Sequence, residues 1–392
     1  MKNKIIRITT IPESLASLLK GQLQFMSQYY KVIGISSLGV DRLKQVGLRE
    51  GVTVIPVEMT RKITPIQDLW ATWKLYRIFR REKPFIVHTH TPKAGTLGML
   101  AAFLARVPHR LHTIAGLPLL EAQGRKRILL DMVEKLTYAC ATKIYPNSFG
   151  LKEIILKNNY TSANKLKVIG KGSSNGINTD FFDPNQYNGE GKSRLRKSLG
   201  IKENDFVYIF VGRLVKDKGI NELIQAFKCI ASQFKETKLL LIGPFENDLD
   251  PLEVETIAFI DECDQIIALG WQDDVRPYFS ISDCLVFPSY REGFPNVVMQ
   301  AGSMGLSSIV TDINGCNEII VAGENGVLIP PKNEEALQRA MEFYYQQRWD
   351  GNSDPSKNRE MIVNRFDQTK VWEAILEEYK RLEVESDYQS VQ

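Results

Sequence analysis

The sequence is poor in the residues that build disulfide and metal scaffolds, with five cysteines and four histidines in 392 residues. Cys140, Cys229, Cys263, Cys284 and Cys316 are dispersed, without a close pair at metal or redox spacing, and their odd number argues against a disulfide framework. A reducing cytoplasm is the simple expectation. Long apolar runs are also missing: none approaches the ~20 residues of a membrane-spanning helix, so any membrane contact is expected to be peripheral. The opening Met1-Lys2-Asn3-Lys4-Ile5-Ile6-Arg7-Ile8 has a charged flank but too short an apolar run for a signal peptide, and reads as a first strand. No recognised nucleic-acid motif appears, which makes nucleic acid a weak reading of the positive charge.

That charge is unevenly placed. Residues 1 to 190 hold 28 Lys and Arg against 13 Asp and Glu, a net of +15, whereas the remainder nets −11. One half is therefore expected to meet an anionic partner. The length exceeds what one hydrophobic core usually supports, so two domains are expected. Short β-rich runs alternate with helical patterns, the signature of parallel sheets with crossover helices. Strands are expected at Ile5 to Thr9, Lys31 to Ser36, Thr53 to Pro56, Phe85 to His88, Arg110 to Ile114, Lys143 to Pro146 and Lys167 to Ile169. After the turn-rich stretch Asp183 to Lys192, which reads as a linker, a second series covers Phe206 to Gly212, Lys238 to Ile242, Ile266 to Leu269, Cys284 to Phe287, Ser307 to Thr311 and Gly326 to Ile329.

Two helices in the basic half are amphipathic. Ile66 to Lys83 combines Leu69, Trp70, Trp73, Tyr76 and Phe79 with Lys74, Arg77, Arg80, Arg81 and Lys83, and Gly124 to Tyr138 opens with Arg125-Lys126-Arg127. Either the apolar residues pack on the sheet and the basic ones are solvated, or the helices lie on an anionic membrane surface.

Two stretches of the second half carry chemistry. In Pro288-Ser289-Tyr290-Arg291-Glu292-Gly293-Phe294-Pro295-Asn296-Val297-Val298-Met299-Gln300-Ala301, a strand runs into a turn and then a helix. Glu292 falls where open α/β sheets bind ligands, beside amides at a helix N-terminus, a geometry suited to a sugar phosphate. In Phe206 to Ile220, a strand ends at Gly212, Arg213 can fork onto a phosphate, and Lys218 supplies a point charge a short loop away, before Gly219.

Together these stretches resemble the signatures of retaining glycosyltransferases of family GT4. The resemblance implies a GT-B fold, an α/β chain of two doubly wound Rossmann-like domains facing across a cleft. The expected bounds are 1–188 for the acceptor-side domain, joined by a helix at about 369–392, and 189–368 for the nucleotide-sugar domain. It further implies that Arg213 and Lys218 hold the donor diphosphate, and that Glu292 binds sugar hydroxyls with the Gly293, Phe294, Pro295 and Asn296 turn adding backbone contacts. The loop of Gly270, Trp271 and Gln272 would read the nucleotide base; Trp271 stacks on it or packs. Asp283 reads as a structural cap. Where the family has a second Glu, this chain has Gln300, which keeps an acceptor oxygen for the ribose hydroxyls without the charge.

On the acceptor side the resemblance implies the His88 to Gly95 loop and Arg110 to Pro118. His88 and His90 share a face by alternation. A metal pair there lacks a third ligand at recognisable spacing, and a hydrogen-bonding role for His90 is the stronger reading. GT4 members often carry a His at the position of Ala115, so His112 or His90 is the expected substitute. Lys20-Gly21-Gln22 resembles the capsule and glycan-assembly branch and makes Gly21 a ligand-loop candidate. The family attacks from the donor's front side with no obligatory protein nucleophile. No cofactor and no divalent metal are then expected; Asp248-Leu249-Asp250 and Asp273-Asp274 do not stand where a metal motif belongs. The implied activity is transfer of a hexose or N-acetylhexosamine, with UDP the expected carrier, onto an undecaprenyl-pyrophosphate-linked or other glycan acceptor at the inner face of the cell membrane. A soluble transferase with a non-lipid acceptor and an inactive nucleotide-sugar-binding partner of a glycan-assembly complex remain the alternatives.

Overall fold

In the computed structural model, which describes residues 2–60, 63–117, 119, 122–246, 250–347 and 354–391, the chain forms two compact units. One comprises Met1–Gly176 with Gln368–Gln392, the other Ile177–Asp367. The first contains β1 (Lys4–Ile8), β2 (Lys31–Ser36), β3 (Thr53–Pro56), β4 (Ile86–Thr89), β5 (His109–Ile114) and β6 (Lys143–Pro146). The second contains β7 (Phe206–Val211), β8 (Thr237–Ile242), β9 (Ile266–Gly270), β10 (Cys284–Phe287), β11 (Ser307–Thr311) and β12 (Gly326–Ile329). Each set is one parallel sheet, ordered β3-β2-β1-β4-β5-β6 and β12-β11-β10-β7-β8-β9. Strand order therefore reverses between β1 and β4 in one unit and between β7 and β10 in the other. At such points the two crossovers leave in opposite directions and open a crevice at the carboxyl edge of the sheet.

The strands form because crossover helices cover both faces, which favours continuous β-branched and aromatic runs. Phe206-Val207-Tyr208-Ile209-Phe210 is buried throughout. In the first unit, alternation sends Ile6, Ile8 and Val87 into one core and Ile5, Ile86 and Leu111 into another. Lys167 to Ile169 does not extend this sheet. Leu166 makes an isolated bridge to Ile144, and the chain then leaves the edge.

The helix Gln368–Val391 belongs to the first unit, where Val371, Trp372, Ile375, Leu376, Tyr379 and Leu382 are buried at helical spacing. Glu378, also buried, accepts from Tyr145 Oη at 3.0 Å, from Arg381 Nη2 at 2.6 Å and from Lys167 Nζ. Burial alone would push its carboxyl up, but the hydrogen bonds from Arg381 and Lys167 outweigh it and bring the pKa down to about 2 from 4.5. A depressed carboxylate contributes stability above its ordinary pKa and loses it as pH falls through the folded one. Melting temperatures are thus expected to fall between about pH 4.5 and 2, with a shallower fall in that window for Glu378→Gln.

The chain passes into the second unit at Ile177, earlier than the expected 188–189 boundary. Ile177 and Phe182 are part of the second core, and Arg359 binds the carbonyls of Thr179 and Phe182 at 2.9 and 2.6 Å. The polar run after Phe182 does not behave as a linker. Asp183 accepts from Asn185 N at 2.9 Å to cap a short turn, and Asn188 accepts from Gly191 N at 2.8 Å to cap the helix Gly189–Ser198.

Candidate active site

The loops that follow β7 and β10 emerge side by side at the switch point of the second unit. The first ends in a turn over Lys216–Lys218, and Gly219, at φ +71°, starts the helix Ile220–Gln233. A Cβ on Gly219 would stand 2.2 Å from the Pro288 carbonyl oxygen, so only glycine lets the two loops meet. Backbone and side-chain bonds between residues distant in sequence lock them. Tyr290 N donates to Asp217 O at 2.9 Å, Arg291 pairs with Asp217 at 2.7 Å, and Asp250 accepts from Asp217 N at 2.7 Å. Asn314 Nδ2 donates to Glu292 O at 2.6 Å.

This framework brings Lys218 and Glu292 into a direct ion pair, with the two side chains only 16% and 15% exposed. Lys218 Nζ also stands 5.7 Å from the Phe287 ring centroid. Arg213, 45% exposed, pairs with Glu246 at 2.7 Å, and that hydrogen bond raises its pKa. Cys316 lies beneath; burial, then Glu292, push its thiol well above the usual range, so it is no nucleophile. Two cations thus stand at the crevice, each held by a carboxylate. Two cations so placed suit an anionic ligand.

The helix Asn296–Ser303 begins at Pro295 with no side-chain cap, leaving first-turn amides for a ligand. Phe294 is buried against Phe366, with ring centroids 5.3 Å apart, so this residue offers its backbone alone. Gln300 lies on the second turn, partly buried. At the end of β9, Gly270 accepts from Gly243 N at 2.8 Å. Trp271 is 72% exposed, its indole Nε1 donating to Asp273 at 3.1 Å, which leaves a ring face free of packing. Gln272 is tied down at both ends, to Leu269 O at 2.9 Å and to Tyr278 Oη at 2.9 Å. Its side chain supports the loop rather than projecting from it. Asp283 accepts from Val207 N at 2.7 Å, as a cap should.

In the first unit the His88 and His90 rings lie against each other, tilted by 37° with centroids 4.2 Å apart. His112 is not brought to them. It is in register with Thr89, on the opposite face from His88, with Nδ1 2.8 Å from Thr89 Oγ1 and its ring against Gly95. Burial lowers its pKa to about 4. All three histidines are buried; His88 and His90 line one small cavity, and His112 does not. Gly21, at φ +77°, faces the Trp372 ring, where a Cβ would meet it at 2.6 Å. That glycine seats the last helix. Pro118, Asp248 and Leu249 lie outside the described residues, and among the described residues no group of three or more His, Cys, Asp and Glu could hold a metal ion.

Models of known families match both units: "Glycosyl transferases group 1" over residues 191–368 and "Glycosyl transferase 4-like" over 18–148. The capsular polysaccharide biosynthesis glycosyltransferase CapM of Staphylococcus aureus is 34% identical over 388 residues, covering 99% of this chain and 100% of the relative. The chain belongs to the GT4-type glycosyltransferases. A second relative of this glycosyltransferase, from Escherichia coli, is the UDP-Gal:alpha-D-GlcNAc-diphosphoundecaprenol alpha-1,3-galactosyltransferase, 32% identical over 72% of each chain. Among solved structures, Anabaena HepE in complex with UDP superimposes with a TM-score of 0.78 at 18% identity, covering 97% of this chain and 100% of that one. The fold is that of two Rossmann-like GT-B domains.

Several residues that shape the glycosyltransferase's crevice carry no local signal. Asp217, Asp250 and Asn314 read as ordinary polar loop residues, yet they fix the backbone that presents Lys218 and Glu292. Their partners are 22 to 74 positions away, beyond any motif window.

Proposed function

We propose that this glycosyltransferase moves a hexose or N-acetylhexosamine, with retention, from a UDP-sugar to a glycan carried on a lipid diphosphate, in polysaccharide assembly at the inner face of the cell membrane. The observation that carries the reading is the Lys218–Glu292 pair beside Arg213 at the mouth of an uncapped helix. Arg213 and Lys218 would hold the diphosphate and stabilise charge on the departing phosphate, so no divalent metal or other cofactor is required. Glu292, released from Lys218 as the diphosphate arrives, would take sugar hydroxyls, and Trp271 offers its exposed face to the base. Support for the donor and acceptor comes from the relatives: the E. coli enzyme is named for UDP-Gal and a diphosphoundecaprenol sugar, and HepE was solved with UDP.

Membrane contact is part of this proposal. No helix among the described residues is long and apolar enough to cross a membrane. In the helices Pro65–Glu82 and Gly124–Cys140, Ile66, Leu69, Trp70, Trp73, Ile128 and Met132 are exposed, Trp70 to 59% and Trp73 to 46%. Residues that merely packed on the sheet would be covered, as Leu75 and Phe79 are. Exposed arginines and lysines lie among them, the pairing that suits acidic headgroups. The test is sugar transfer from each of a panel of UDP-sugars to a polyprenyl-diphosphate sugar, with vesicle flotation alongside. Transfer with one UDP-sugar is expected, and none with any would sink the proposal. Trp70→Ser with Trp73→Ser should cut partitioning onto anionic vesicles about tenfold, a change equivalent to 1.4 kcal/mol. Failure of the unaltered protein to bind at physiological salt would remove the membrane claim.

Gln300 supplies a further check. Its amide keeps an acceptor oxygen for ribose, so Gln300→Glu is expected to leave UDP affinity within about threefold, less than the ~1 kcal/mol of a typical hydrogen bond. A tenfold tightening in calorimetry would show that the neutral residue weakens the donor site.

A further inference from the structure

The turn that follows Glu292 is gripped from one side by the loop after β11, and the grip sets which way its peptide groups face. β11 pairs in register with β10, so the two loops leave the carboxyl edge of the sheet together. The β11 loop is itself anchored: Thr311 Oγ1 donates to Ser289 O, and Asp312 N donates to Ile329 O at 2.7 Å. From this base Asn314 Nδ2 donates to Glu292 O at 2.6 Å and to Gly293 O at 3.3 Å. A side-chain NH2 group has two protons, one for each carbonyl. Gly315, at φ +79°, lets the second carbonyl lie this close, since a Cβ there would stand 2.4 Å from Gly293 O.

The consequence lies on the other side of each peptide. Both peptides are trans, so their N–H bonds point opposite to the carbonyls that Asn314 binds. Those N–H groups belong to Gly293 and Phe294, and neither donates to an acceptor among the described residues. Backbone donors are seldom left without a partner, so two adjacent ones await an oxygen from outside the fold. In the sheet order β11 and β7 flank β10 on opposite sides. Turned away from Asn314, the two amides face the side of the β7 loop, which carries Lys218.

We infer that Asn314 is a positioning residue, which turns the Gly293 and Phe294 amides toward the crevice so that they meet an oxygen of the donor's diphosphate. Asn314 itself touches no ligand; it acts through two carbonyls. Donors aimed in advance need no reorganisation when the charge arrives, whereas a turn free of Asn314 has two peptide planes to order first. Naming the diphosphate rests on the function proposed above; the orientation of the two peptides does not.

The test uses the chain's only Gly-Phe step, Gly293 to Phe294. Labelling the full chain with 13C-carbonyl glycine and 15N phenylalanine leaves one correlated signal, which reports both the carbonyl that Asn314 holds and the amide that it turns. In the unaltered protein UDP should shift the Phe294 amide proton downfield saturably, and UMP, which lacks the second phosphate, should leave it nearly in place. Asn314→Ala should move the Gly293 carbonyl carbon to lower shift and weaken UDP about tenfold, the scale of one lost hydrogen bond to a charged group. Its UMP affinity should be unchanged, whereas a variant that had merely lost stability would weaken on both nucleotides. A Phe294 amide that saturating UDP leaves unmoved would overturn the inference without relying on any variant's folding. Equal UDP affinity in Asn314→Ala would overturn it too. Failure of the unaltered protein to bind UDP at all would sink the proposed function and the ligand named here with it, and the carbonyl signal of Asn314→Ala then decides the orienting role alone: moved upholds it, unmoved overturns it.

Discussion

Lys218→Ala is expected to lower sugar transfer by about 10²–10³-fold, the usual effect of deleting one donor aimed at charge that develops in the transition state. Lys218 is a strong case because it is mostly buried at a crevice edge, where its charge acts through little solvent, and because its Nζ already touches Glu292. Removing it has a second consequence. Glu292 is left largely buried without its cation, which repels the donor diphosphate. A double-mutant cycle separates the two effects. If the pair were only structural, Lys218→Ala with Glu292→Ala would regain stability and activity together. On the present account stability is regained and transfer stays low, because the diphosphate has lost its cation and the sugar its carboxylate.

Gly219→Ala should be nearly as damaging, by a different route. The backbone there is at φ +71°, which costs a residue with a Cβ roughly 1–2 kcal/mol. The added carbon would also sit 2.2 Å from Pro288 O, and backbone cannot yield as a flexible side chain does. Pro288 begins the loop that carries Glu292, so relief of the clash moves Glu292 away from Lys218. A displacement on the order of 1 Å at a reacting centre costs about 10²-fold in rate. Transfer should therefore fall by about 10²-fold, with a thermal midpoint lower by several degrees. An active Gly219→Ala enzyme of ordinary stability would mean the two loops are free to separate without harm.

Much of the molecule was legible in the sequence because of how parallel sheets are built. Strands buried on both faces read as short continuous apolar runs, and the ends of β7 and β10 carry Arg213, Lys218 and Glu292 within recognisable spacings. Where local reading misled, tertiary context decided. Lys167 to Ile169 has strand composition but leaves the sheet edge after one bridge. Asp183 and Asn188 have linker composition but cap structured turns. His112 and His90 look alike as histidines near strand ends, yet a single step of alternation puts them on opposite faces of the sheet, and only His90 of the two lines a cavity. Arg7 gave no signal at all. A charge in the opening strand reads as a solvated flank, and only the registered pairing with His88 shows it buried. The helix Pro65–Glu82 lies between these cases: its sequence admits packing or membrane contact, and the exposure of Trp70 and Trp73 favours contact with something outside the fold.

The most direct measurement is calorimetric binding of UDP to the unaltered protein and to Arg213→Ala, Lys218→Ala and the double variant. Saturable binding to the unaltered protein is expected, with about a tenfold loss for each single variant and at least a hundredfold loss for the double, in line with about 1.5–3 kcal/mol for each hydrogen bond to a charged group. UDP binding that is absent, or unchanged when both cations are removed, would contradict it.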